Sequence, residues 1–81
     1  MTEQELIEQY GDLGFELLTA DGFDDAIIGI DSKNGRVIYS VEKMAEILMR
    51  DDEINEDEAF EYLDYNVLNA WVGDQTPIYM I

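Results

Sequence analysis

Carboxylates are the one chemically capable side chain this sequence holds in quantity: twenty aspartates and glutamates, with no histidine and no cysteine. Acid–base catalysis by carboxylates needs a pair whose surroundings separate their proton affinities across a substrate. Asp24-Asp25 is the pair that could flank one, but two neighbouring acids beside a glycine turn read more simply as a solvated edge. The two serines, Ser32 and Ser40, fall at a hairpin tip and a helix cap, and those roles account for both. Gly11, Gly14 and Gly22 fit neither nucleotide-binding glycine pattern. With no nucleophile beside a base, the residues point away from an enzyme, and no cofactor is expected.

Acids also bind calcium, so loop spacing is the next test. Counting from Asp31, Glu42 falls at position 12 of a helix–loop–helix calcium loop, but Lys33 takes a ligand position and Gly35 comes one residue early. Counting from Asp51, position 12 is Tyr62. Weak divalent binding at Asp51-Asp52-Glu53 is chemically reasonable; a dedicated metal site is not expected.

What remains is binding by charge. The net charge is −16, and all four cations (Lys33, Arg36, Lys43, Arg50) lie between residues 33 and 50. Nine acids precede that segment and nine follow it with no cation among them. Such a field repels nucleic acid and anionic membranes and attracts basic proteins. The densest acids are Asp51, Asp52, Glu53, Glu56, Asp57, Glu58, Glu61 and Asp64. If residues 56–64 are helical, Asp57, Glu61 and Asp64 share an outward stripe, with i,i+4 carboxylates about 6 Å apart along the axis. Phosphates along one nucleic-acid strand are spaced on the same scale, about 3.4 Å of axis per charge. An acidic stripe of this kind can occupy a basic nucleic-acid groove. The plain alternative is a solvated helix face with acids favoured near its positive N-terminus. Beside it Tyr62, Tyr65, Asn66 and Asn69 form a second stripe. Tyrosines suit a partner face or a dimer seam, and they equally suit the completion of a small core.

The elements that would position these side chains are legible in the pattern. Thr2 and Glu5 form a capping box ahead of a helix to about Tyr10, with a further turn or helix through Leu18. Asp21-Gly22 is a turn, and Ala26 to Ile30 a strand whose Gly29 marks a bulge or a close backbone approach. Asn34-Gly35 supplies the positive φ of a hairpin loop, and Arg36 to Tyr39 returns as the second strand. Ser40 caps a helix with a Val41, Met44, Ala45, Leu48 stripe and Ile47 beside it; Glu46 and Arg50 are spaced to pair on it. Asn55 caps a last helix to about Val72, with Phe60, Leu63, Val67 and Trp71 on its buried face and Gly73 ending it. Pro77 opens a terminal strand to Ile81, core if central in the sheet and a pairing edge if not. The expected fold is one α+β domain over residues 1–81: a three-stranded antiparallel sheet packed by helices, in the order α-β-β-α-α-β.

Four stretches carry a resemblance to a known group. Gly22-Phe-Asp-Asp-Ala-Ile-Ile-Gly29, the strand end and helix start from Val37 to Met44, and the Asp57–Tyr62 helix with its Thr76-Pro-Ile78 ending follow one pattern. Over residues 20–81 the chain resembles a family of small uncharacterised proteins encoded by tailed bacteriophages. The resemblance implies an infected bacterial cell as the setting; it implies no activity.

The sequence therefore leads to the expectation of a small acidic protein that binds another protein. The partner would be a host protein, one that binds nucleic acid if the acids mimic phosphates, and the surface would be residues 51–64 with Tyr62 and Tyr65. Direct nucleic-acid or membrane binding is not expected. No apolar run approaches the roughly 20 residues of a membrane span, and Met1 leads into no leader-like segment, so the expected location is the host cytoplasm. The rival expectation is an accessory protein that assembles with copies of itself. A third is that the acidity only suits a saline cytoplasm.

Overall fold

The computed structural model describes residues 2–11, 17–20, 22–71 and 73–81. Among the described residues, three α-helices and a three-stranded sheet make an α+β fold. Helix α1 spans Glu3–Tyr10, and both halves of its capping box form: the Thr2 hydroxyl accepts from Glu5 N, and Thr2 N donates to the Glu5 carboxylate, each at 3.2 Å. The continuation expected through Leu18 falls mainly on residues 12–16, outside the described residues, as do Asp21 and Val72.

A 3-10 turn, Asp24–Ala26, leads into β1, Ile27–Ile30. Gly29 does mark a bulge: Ile27 faces Tyr39 and Gly29 faces Ile38, so Ile28 is the extra residue and is turned to solvent. The hairpin is built on Asp31, whose carboxylate accepts from Lys33 N and Asn34 N at 3.1 Å while its carbonyl accepts from Gly35 N. Gly35 alone takes the positive φ, 73°. Strand β2, Val37–Ser40, is the central strand. Its alternate residues Val37 and Tyr39 are fully buried. The Tyr39 hydroxyl accepts from Ala20 N at 2.7 Å, which supplies the partner a buried phenol needs and ties residues 17–20 to the sheet.

Helix α2, Val41–Asp52, starts on the Ser40 cap and buries the expected stripe together with Ile47. Glu53, at φ 54° and ψ 38°, reverses the chain. Asn55 then caps α3, Glu56–Leu63, by accepting from Glu58 N at 2.9 Å and donating to the Glu58 carboxylate.

Two expectations are corrected here. The last helix does not run as one α-helix to Val72: it widens after Leu63 into a π-helical segment, Asp64–Leu68, and ends. The side chains of Asn66 and Asn69 donate to the carbonyls of Tyr62 and Asp64, satisfying groups that the wider turn loosens. Each π turn takes an extra residue, so the 3.6-residue stripe breaks there. Leu63, just before the break, stays fully buried, and Trp71, beyond it, is 69% exposed; Phe60, upstream of the break, is itself 37% exposed. The second correction is the sheet, which is mixed. Strand β3, Ile78–Met80, pairs with β2 in parallel, while β1 and β2 are antiparallel. The segment after α3 is fastened to the start of β2: Arg36 Nε donates to Thr76 O at 2.5 Å, and Gln75 Nε2 donates to Asn34 O at 3.0 Å. From that end β3 can only run alongside β2 in the same direction. It lies at the sheet edge, with the Tyr79 ring stacked on Tyr39 at 5.9 Å.

Candidate partner-binding surface

The end of α2, the turn at Glu53 and the start of α3 bring the acids together. Asp51 and Asp52 form the last turn of α2, Glu53 the reversal, and Glu56, Asp57 and Glu58 the first turn of α3. All are exposed, as are Glu61 and Asp64. The two helix ends differ energetically. Acids at the start of α3 interact favourably with its dipole, whereas Asp51 and Asp52 stand at the negative end of α2, where the dipole opposes them. Arg50 relieves part of this, pairing with Asp51 at 2.8 Å where the spacing had suggested Glu46. The hydrogen bond from Arg50 holds the Asp51 carboxyl below its usual range.

The expected stripe of Asp57, Glu61 and Asp64 is divided. Glu61 and Asp64 overhang a groove between α2 and α3, joined there by Glu56; Asp57 is not part of its lining. The groove measures about 610 Å³. Its floor is apolar, made by Val41, Ala45 and Met49 of α2 with Phe60 and Leu68 opposite. Its α2 rim carries Glu42 and Glu46. The sequence reading missed this groove because it assigned Phe60 to the core. The available signal was that Phe60 lies one turn from both Glu56 and Asp64, an aromatic residue framed by acids.

The tyrosines do not complete the core. Tyr65 is 86% exposed, and Tyr62, about half exposed, borders a separate recess with Phe23, Asn66 and Tyr79. Trp71 is a further exposed aromatic that the sequence reading had placed inside. Among the cations, Arg36 fastens the segment before β3, while Lys43 and Arg50 border a small mixed-charge recess with Asp25 and Glu46. Among the described residues no group of three or more acids is arranged to hold a metal ion, and no helix is long and apolar enough to cross a membrane. Comparison with protein families, with characterised proteins and with solved structures finds no match.

Proposed function

We propose that this chain acts by binding a protein, as an inhibitor or modulator of a host protein that itself binds nucleic acid. The setting is the cytoplasm of a phage-infected bacterium, in keeping with the resemblance over residues 20–81. One observation carries the reading: every acid from Asp51 to Asp64 is exposed, and of these Asp51 alone is held in an ion pair. Asp52 opposes the α2 dipole with no ion partner among the described residues, and Glu53 adopts a left-handed conformation that costs a side-chain-bearing residue about 1–2 kcal/mol. Local preferences broken without local gain are characteristic of surfaces kept for function. The test is recovery of partners from bacterial lysate with the tagged protein at low and high salt, identified by mass spectrometry. A dominant nucleic-acid-binding protein, lost at high salt and lost again when Asp57, Glu61 and Asp64 are replaced by lysine, supports the reading. Retention by the triple-lysine protein refutes the phosphate-mimic form.

A second reading is an accessory protein assembled from copies of itself. Strand β3 at the sheet edge and the exposed Tyr65, Trp71 and Met80 favour it. Its mark is a solution mass above the monomer that holds or rises with salt.

A further inference from the structure

The acids of α3 do not merely coat a helix; half of them border an apolar channel. Five carboxylates (Glu42, Glu46, Glu56, Glu61 and Asp64) surround the groove between α2 and α3, and no cation lines it. A surface evolved only to imitate phosphates would be polar throughout, whereas this floor holds Met49, Phe60 and Leu68. Phe60 is more than a third exposed although it lies beside the fully buried Ala59 and one turn from buried Leu63. Along α2 the floor runs from Val41 to Met49, about 12 Å at 1.5 Å per residue, or about two turns of an opposing helix.

We propose that this groove takes a basic amphipathic helix of the partner protein, whose apolar stripe lies on the floor and whose flanking lysines or arginines meet the two acidic rims. The inference rests on the reading of the chain as a protein binder and names what the partner must present. Both halves of the recognition are complementary. An apolar stripe at i, i+3, i+4, i+7 spacing fits between paired helices, and cations on both flanks find acids on both sides. The apolar floor gives affinity that survives salt; the rims give attraction and orientation that salt weakens.

The experiment uses the full chain and a synthetic peptide of about 18 lysines and leucines with the leucines at amphipathic helical spacing. A second peptide has the same composition in an order that forms no stripe. Fluorescence anisotropy reports affinity, and circular dichroism reports peptide helicity. The expected result is that the amphipathic peptide becomes helical on binding and binds about tenfold or more tighter than its scrambled counterpart. Phe60→Ala should remove most of that difference, and the combination Glu42→Gln, Glu46→Gln, Glu61→Gln should weaken binding and its salt dependence together. Equal affinity for the two peptides, or full affinity in Phe60→Ala, overturns the proposal. So does concentration-dependent self-association abolished by Phe60→Ala, which would assign the groove to a second copy. Asp51→Lys, Asp52→Lys, Asp57→Lys alters acids outside the groove. If this variant loses the lysate partner while wild type shows no preference for the amphipathic peptide, the groove inference fails and the protein-binding function stands. If the amphipathic peptide binds as expected and no lysate protein is recovered, the function fails and the groove chemistry stands.

Discussion

Arg36 and Thr76, forty residues apart in sequence, are joined by a 2.5 Å hydrogen bond from the guanidinium Nε to the carbonyl oxygen. The bond closes the long excursion through α2 and α3 and delivers the chain to the start of β2. Strand direction in the sheet follows from it, because a strand that begins beside Arg36 must run with β2.

Replacing Arg36 with alanine should therefore lower stability by about 1.5–3 kcal/mol, the range for a hydrogen bond from a charged donor. The arginine is half-buried, so lost packing of its stem adds to the effect. Urea unfolding followed by far-ultraviolet circular dichroism measures it. Arg36→Lys should recover only part, since an ammonium cannot reproduce the fixed donor geometry of the guanidinium. An unchanged midpoint in Arg36→Ala would mean that strand pairing alone places β3.

The π segment separates two residues that a continuous helix would bury alike. Leu63→Ala, at a fully buried position, should cost about 2–5 kcal/mol. Trp71→Ala, at a position 69% exposed, should change stability by about 0.5 kcal/mol or less. Tryptophan emission gives an independent check, because Trp71 is the chain's single tryptophan and should fluoresce as a water-exposed indole in the folded protein. A blue-shifted native spectrum, or equal losses in the two variants, would contradict the exposed placement of Trp71.

Glu53 occupies the left-handed region, φ 54°, at the end of α2. Glycine reaches that conformation without the Cβ clash and is the favoured residue after a helix end. Glu53→Gly also removes a negative charge from the negative end of the helix dipole. Stability should rise by about 0.5–1 kcal/mol, read as a higher thermal midpoint. If Glu53 is one of the partner-binding acids, the same variant should bind its lysate partner more weakly. A variant both more stable and fully active in binding would show that this acid contributes nothing to recognition.

Burial raises the Tyr79 phenol above its ordinary value of 10. The neutral form is thus favoured in the folded state, and this contribution to stability is complete below pH 10. It is lost as pH rises from 10 through the raised value, when the unfolded chain releases its proton more readily. Tyr79→Phe should leave the neutral-pH midpoint nearly unchanged and flatten the alkaline decline of stability. Thermal melts across pH 8 to 11 would show the difference, and identical alkaline limbs would dismiss Tyr79 as a contributor.

Local chemistry was enough for the parts of this protein whose causes lie within a few residues. The Thr2–Glu5 box, the Ser40 and Asn55 caps, the Asp31 hairpin, the Gly29 bulge and the buried stripe of α2 each depend on residues no more than a helix length apart, and each was readable from residue type and spacing. The acidity of residues 51–64 and the absence of histidine and cysteine were equally plain from composition. Tertiary structure decided the rest. The direction of β3 hangs on Arg36 meeting Thr76, a contact that no local pattern encodes. The fate of Trp71 depends on a π segment, in which Asn66 and Asn69 turn their amides to backbone carbonyls and shift the register that periodicity assumes, while Phe60, upstream of that segment, is left lining the groove. The groove exists only because Val41, Ala45 and Met49 of one helix face Phe60 and Leu68 of the other side. Its apolar floor and acidic rims come from separate elements that sequence spacing cannot bring into register.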